Sequence, residues 1–446
     1  MIKWIKILLT GIAVSLFYFP VVFTFFPIVI TKNLMAAVGI LFLIALFVRK
    51  RDFSLPRELI LLLFLSLAVT IFSLISVVYN QTPDVSYAYY IRSAVIWLSG
   101  AFAVCYIIWL THGRVDVPLL VNYLAAVCVF QCIMAMLIEF VPAVRAVVDA
   151  TFIQGQDTLR EAGRIYGIGA ALDVGGSRFA AVLIAIAFMI EQPRANNGNT
   201  SQILLVLAFI IITVIGNIIA RTTLVGTGIG LGYIVLMELR RTGWQDPRDF
   251  SSSLLTWVAV LVLAIPILII LYNASLPFQQ MLRFGFEGFF SLIEQGKWEV
   301  NSNEILENMV VWPDNFKTWM IGDGYFENQR YDANYLGEAT TDGFYMGTDI
   351  GYLRFIFYFG VPGLIAISLV MIYAGVIACK TFPGYTPLFV LGIAANFVVW
   401  LKVATDLFPF LSLCACLAFL YQDIEWLKEQ EGTGEEEDSP PEESQV

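Results

Sequence analysis

Residues 273–300 read NASLPFQQMLRFGFEGFFSLIEQGKWEV, and residues 301–349 read NSNEILENMVVWPDNFKTWMIGDGYFENQRYDANYLGEATTDGFYMGTD. The chain before Asn273, and after Asp349 as far as an acidic tail, is close to continuous hydrocarbon-soluble sequence. One long polar stretch set among apolar runs of spanning length reads as a large loop outside the bilayer. A transporter has little need of such a roof. An enzyme acting on a polar substrate carried by a lipid needs one over its membrane cavity.

Composition agrees. The 446 residues are 59% hydrophobic and 14% charged, against about 45–50% and about 25% in soluble domains, so the chain reads as a polytopic membrane protein. Lys3 and Lys6 precede an apolar run with no small-residue cleavage site after it, and this first segment reads as a retained span. Cys105, Cys128, Cys132, Cys379, Cys414 and Cys416 all fall in or beside apolar segments, as small core residues of helices rather than a disulfide frame. Cys128 and Cys132 share a helix face but lack His or carboxylate companions, so neither a metal nor any other cofactor is expected. Residues 426–446 carry much of the net charge of −10 and read as a disordered, solvated cytoplasmic tail; no nucleic-acid partner is expected.

Windows of about 17–25 apolar residues predict an all-α bundle of about twelve transmembrane helices in a single domain over 1–425. They lie near 7–26, 33–48, 58–78, 91–110, 117–141, 176–191, 203–220, 222–237, 254–272, 350–378, 385–401 and 403–421. The last two are separated only by Lys402. Lys3, Lys6, Arg49, Arg57, Arg114, Arg194, Arg240, Arg241, Arg248 and Lys380 crowd one side, which the positive-inside rule makes cytoplasmic. Both termini then lie in the cytoplasm and the large loop, about 273–349, lies outside.

The outer face carries a minority of cations that this rule disfavours: Arg164, Arg178, Arg221, Arg283, Arg330 and Arg354. Arg354 sits about one turn inside a span, where an unpaired ionisable group costs several kcal/mol and is a functional-site hypothesis by default. Guanidinium forks bind phosphate oxygens bidentately and stay charged, and Ser177-Arg178 and Thr222-Thr223 open helices whose N–H groups add donors. Arg164, Arg178 and Arg221 are therefore candidates for binding a lipid diphosphate, with Arg354 beside them. A single such arginine is better explained by pairing with a carboxylate or by snorkelling; Arg164, Arg221 and Arg354 together favour a ligand.

The loop also carries carboxylates near the return to the membrane. Asp342 and Asp349 are seven residues apart and share a face if that stretch is helical. Either is a candidate general base for a sugar hydroxyl, and Thr348-Asp349 is equally a helix cap. Residues 277–295 read as an amphipathic interfacial helix begun by Pro277. The dense loop aromatics, Trp298, Trp312, Trp319 and Tyr325 among them, seal the loop against the membrane, and two or three contact sugar. No phosphate-cradling loop, dinucleotide fingerprint or His-Glu-x-x-His is present. The glycines at 226, 228, 230 and 232 lie inside an apolar span and read as close helix packing.

Arg164-Ile165-Tyr166-Gly167, Gly175-Gly176-Ser177, Phe179-Ala180-Ala181 and Ala220-Arg221-Thr222 form one half of a pattern. Trp312, Gly322-Asp323-Gly324-Tyr325-Phe326, Thr348 through Phe355, and Phe359-Gly360-Val361-Pro362-Gly363 form the other. Together, over roughly residues 1–425, the chain resembles the O-antigen polymerase and O-antigen ligase superfamily of bacterial inner membranes. The resemblance implies a metal-independent, inverting glycosyltransferase of the membrane-embedded type, using undecaprenyl-diphosphate-linked glycans on the outer face, with a chain-length-regulating co-polymerase as a partner. It implies that Arg164 and Arg221 hold the diphosphate. Ligases of the superfamily use a histidine in the large loop. This chain has only His112, on the cytoplasmic side, so the expectation is a repeat-unit polymerase of O-antigen, capsule or exopolysaccharide. The alternatives are the ligase and a lipid-linked oligosaccharide flippase. Transporters of that kind show two matching halves, and no internal repeat is visible.

Overall fold

The computed structural model describes residues 2–49, 56–161, 163–191, 201–242, 252–328 and 343–437. The first half holds α1 (Ile2–Tyr18), α2 (Thr31–Arg49), α3 (Arg57–Asn80), α4 (Tyr90–His112), α5 (Val117–Phe140), α6 (Pro142–Thr151) and α7 (Gln156–Glu161). Then come α8 (Leu172–Glu191), α9 (Gln202–Ile219), α10 (Thr223–Thr242) and α11 (Ser252–Ala274). The polar stretch supplies α12 (Leu276–Gly285), α13 (Glu287–Gln295), α14 (Asn301–Asn308) and α15 (Phe316–Met320), before α16 (Gly351–Thr381), α17 (Thr386–Val399) and α18 (Phe408–Glu437). Among the described residues eight helices, α2, α3, α4, α5, α8, α9, α10 and α16, are long and apolar enough to cross a membrane, and shorter apolar helices lie in α11, α17 and α18. The chain is thus a multi-pass helical membrane protein. Side chains such as Val262, Leu263 and Ile270 on α11 are exposed, as lipid-facing positions should be.

α8 is the axis of the bundle: every residue from Gly175 to Glu191 is buried, and α5, α9, α10 and α17 pack around it. Packing between apolar helices in lipid depends on close backbone approach at small residues. Gly226 rests directly on the Ala180 backbone, and a Cβ at Gly230 would meet Ala187 and Phe209, whereas Gly228 and Gly232 face open space. The expected glycine packing therefore holds at two of the four positions. The cysteines are all free; Cys379 is half-buried and the other five are buried.

Four boundaries differ from the sequence reading. The predicted first span overruns, because Phe19 precedes Pro20 and the residue before proline is driven out of the helical region. The chain leaves α1 at Tyr18 and forms β1 (Val22–Phe23) and β2 (Phe26–Ile30), to which β3 (Phe152–Ile153) adds in the antiparallel order β2-β1-β3. The predicted interfacial helix over 277–295 is two helices, α12 and α13, broken at Phe286. The last two spans are separated by an extended loop, 400–407, rather than by one lysine, because Asp406 accepts from the Phe408 N–H (3.0 Å) and starts α18 late, and Asn396 accepts from the Leu407 N–H (2.9 Å). At the other end α18 is helical to Glu437, into the stretch read as a tail; residues 438–446 lie outside the described residues.

α16 is kinked, with Phe359 and Gly360 non-helical inside it (Gly360 φ 68°, ψ −179°). Pro362 has no N–H, so the Tyr358 carbonyl four residues earlier loses its intrahelical donor. Two other elements supply it: the Ser76 hydroxyl of α3 (2.7 Å) and the Gly324 N–H (3.2 Å), while the Asp323 N–H takes the Phe357 carbonyl (2.5 Å). The kink is thereby a docking point for residues 322–326 of the polar stretch.

Candidate functional site

Ala220-Arg221-Thr222 make the tight turn between α9 and α10. Arg221 donates from Nε to the Phe284 carbonyl (3.1 Å) and from one terminal nitrogen to the Ser302 hydroxyl (2.9 Å). The other approaches Glu287 at 2.7 Å, an ion pair without hydrogen-bond alignment. Burial lowers the Arg221 pKa, and Glu287 partly restores it. Arg164, on the loop before α8, has no ion-pair partner among the described residues. Its guanidinium lies 4.4 Å from the Phe284 ring centroid, and that of Arg221 lies 4.2 Å from the same ring. One phenylalanine from α12 thus gathers two arginines that are 57 residues apart in sequence.

Both arginines line a small cavity of about 50 Å³ with Asp173, Ser302 and Lys402. Asp173, in the first turn of α8, accepts a hydrogen bond from Thr222 and pairs with Lys402 at 3.3 Å. Lys402 and Asp173 were missed as site residues by sequence reasoning. The signal for the lysine was present, since Lys402 stood alone between two span windows with Asp406 four residues on, but the flanking apolar runs made it read as a bare separator; Asp173 lies before the 176–191 window with nothing in its spacing to single it out. On either side of Phe284 lie two wider clefts. One, of about 510 Å³, is lined by Arg145, Arg160 and Arg164, and the other, of about 490 Å³, by Glu287, Glu294, Glu299 and Glu304.

Asp349 and Arg354 form a pair at 3.2 Å, with side chains 23% and 8% exposed. The N-cap of α16 is Ile350, without a side-chain cap, so the Asp349 carboxylate serves its arginine and not the helix end. Burial pushes its pKa up to about 6; Arg354 pulls it back, Asp173 pushes it further, and Lys402 also lowers it. Asp349 thus lies within electrostatic reach of the Asp173–Lys402 pair, with a pKa suited to proton transfer near neutrality. Arg354 also donates to the Phe326 carbonyl (3.0 Å) and lies 3.7 Å from the Phe326 ring centroid and 4.6 Å from that of Phe344. It is held by protein groups on several sides and works as a staple between α16 and the polar stretch.

Arg178 does not join Arg164 and Arg221. Gly176 faces Ala220 and Thr222, and two residues on, about 200° around the helix, Arg178 faces Phe19 and Trp97. Arg283 follows the unexceptional reading, pairing with exposed Glu294 (2.6 Å) and with the Tyr272 hydroxyl (3.1 Å). Asp342 and Arg330 lie outside the described residues. Among the loop aromatics, Trp312 stacks on Trp319 (centroids 6.0 Å) and stays 63% exposed. Among the described residues no group of His, Cys, Asp and Glu is arranged to hold a metal ion. No protein-family model, no curated protein and no solved structure matches this chain.

Proposed function

We propose that this chain polymerises oligosaccharide repeat units carried on a polyprenyl diphosphate, moving the growing glycan from its lipid diphosphate onto an incoming lipid-linked unit. The observation that carries the reading is the convergence of Arg164, Arg221 and Lys402 on one cavity, whose Asp173 and Lys402 charges reach Asp349. In the reaction the bond between the anomeric carbon and the diphosphate oxygen breaks with inversion, and a bond to the acceptor hydroxyl oxygen forms. Asp349 takes the hydroxyl proton. Arg164, Arg221 and Lys402 neutralise the charge that builds on the leaving diphosphate, the preorganised electrostatic role in which fixed donors act most strongly. Asp173 and Ser302 hold Lys402 and Arg221 in place.

On this reading α1, α11, α17 and α18 join the eight longer helices as spans, giving twelve. Both termini then face the cytoplasm and the site faces outward from a bacterial inner membrane. Support comes from Lys3, Lys6, Arg114 and Lys380, which lie at helix ends opposite the turn that carries Arg221. The product is an O-antigen, capsule or exopolysaccharide chain, and a chain-length regulator is the partner such a polymerase would take.

The test is incubation of the purified chain with a lipid-diphosphate repeat unit, with glycans sized on a gel. A ladder accompanied by released lipid diphosphate is expected. A single unchanged band with an authentic substrate would reject polymerisation. Transfer to a lipid A core would then identify a ligase, and passage of intact substrate across a vesicle membrane a flippase.

A further inference from the structure

Arg178 is the arginine that the diphosphate cavity does not use. It is only 8% exposed, yet its guanidinium has no hydrogen bond or ion pair among the described residues; its backbone carbonyl alone is engaged, by the Tyr18 hydroxyl. Its neighbours are ring faces, Phe19 at 5.7 Å and Trp97 at 5.9 Å. Lys32 places its Nζ 5.1 Å from the same Trp97 ring. Ring faces offset part of a cation's desolvation but satisfy none of a guanidinium's five N–H donors. Two cations sharing one indole also repel each other, so the arrangement calls for an anion.

One anion of the chain is already nearby. Burial raises the Asp406 carboxyl, and the Phe408 N–H, Arg178 and Lys32 pull it back. It does not come close enough to pair with either cation, and its Oδ1 is spent on the Phe408 N–H. The Asp406 charge also reaches Tyr87 and Tyr90, whose rings stack on each other (centroids 6.0 Å). The Tyr90 hydroxyl is buried without a partner. The cluster therefore offers one net positive charge (two cations, one carboxylate), unused N–H donors, and groups that exchange hydrogen bonds with hydroxyls. A diphosphate, with two or more negative charges, would be repelled by Asp406. A ligand joining a single carboxylate to neighbouring hydroxyls matches the set.

We propose that Lys32 and Arg178 bind the carboxylate of an acidic sugar in the substrate glycan, with Asp406 and Tyr90 meeting its ring hydroxyls. This rests on the reading of the chain as a glycan polymerase and adds that its repeat unit is acidic. The site lies across α8 from Arg221, and loop 400–407 faces both, Lys402 on one side and Asp406 on the other. A glycan whose diphosphate sits at Arg221 would thus be read at a second point by its charged sugar.

The experiment is calorimetric titration of the full chain in nanodiscs of phosphatidylcholine with a glucuronate-containing disaccharide, and with its neutral glucose counterpart. The acidic disaccharide should bind about 10- to 100-fold more tightly, the worth of charge-assisted hydrogen bonds. Arg178→Met and Lys32→Met should each erase that preference, while Arg221→Ala keeps it. If Arg178→Met does not fold, Lys32→Met, whose side chain is less buried, carries the comparison. Equal affinity for the two disaccharides, or a preference that survives both substitutions, overturns the proposal. So does a preference abolished by adding phosphatidylglycerol to the nanodisc, which would assign the cations to a lipid phosphodiester. Binding is read without turnover. A retained preference with no polymer ladder would therefore fault the polymerase reading and leave this site standing.

Discussion

Residues 316–328 and residues 276–308 belong to one polar stretch, yet they attach to the helical bundle in different ways. The first segment is fastened through backbone: Asp323 and Gly324 donate to carbonyls freed by the α16 kink, and Asp84 accepts from the Phe326 N–H at 2.8 Å. Lys317, Thr318 and Tyr345 close around Asp323 (2.6, 2.7 and 3.3 Å). The second segment is held by side chains of the bundle instead: Arg221 and Asn217 donate to the Phe284 and Gly285 carbonyls, and Arg221 also meets the Glu287 and Ser302 side chains. Two clefts and one cavity open beside it. The motif-rich segment thus holds the roof down, and the segment with less recognisable sequence borders the charged cavity. A dense motif marks a place where backbone geometry is exacting, which is not the same as a place where chemistry happens.

The largest effect should come from Asp349. Asp349→Asn is expected to lower the rate about 10²- to 10⁴-fold, the usual worth of general base catalysis, with a smaller effect on Tm because the asparagine Oδ1 still accepts from Arg354 and Asp349 does not cap α16. In the wild-type chain the rate should fall as pH drops through about 6, where the carboxylate takes up its proton. Stability should move the other way. The folded pKa is raised, so this group's favourable contribution is complete below its unfolded value of 3.8 and is lost as pH rises through about 6. A flat pH–rate profile between 5 and 7 would remove Asp349 from the proton-transfer role.

Lys402→Ala should cost about 10²-fold in rate if its charge acts on the leaving diphosphate. A normal rate would reduce Lys402 to a partner of Asp173.

Gly360→Ala tests the fastened segment. Gly360 has φ 68°, and a Cβ there would come within 2.6 Å of the Met320 carbonyl carbon, so the change should cost about 1–3 kcal/mol of stability and lower Tm. Activity per folded molecule should fall far less than in Asp349→Asn. Equal losses would erase the distinction between fastening and chemistry. The smallest effect belongs to Arg283→Ala, since its pair with Glu294 is exposed on both sides (41% and 46%); Tm and rate should match the parent chain.

Much of this was legible in sequence because lipid imposes a strong pattern. The long apolar helices and the core cysteines were readable from windows alone. Arg164 and Arg221 were singled out because the loop-charge pattern assigns them to the side that the positive-inside rule keeps poor in cations. What sequence could not say is which arginines meet. Arg178 lies closer in sequence to Arg164 than Arg221 does, yet α8 separates it from both, since helix phase rather than proximity decides its face. Lys402 and Asp406 were hidden by flanking runs apolar enough to fill a span window. The β1–β2 hairpin was hidden likewise, its Val and Phe residues counting toward α1 although Pro20 ends that helix. Asp349 stood equally as cap and as base, and only the placement of Arg354 and Ile350 decided against the cap.

The central claim is that the Arg164–Arg221–Lys402 cavity is where the lipid diphosphate is held. It is tested most directly by sizing the glycan made by Arg221→Ala, in protein whose Tm matches the parent. Polymer length should collapse to single repeats. An unchanged ladder from a folded Arg221→Ala chain would contradict the account.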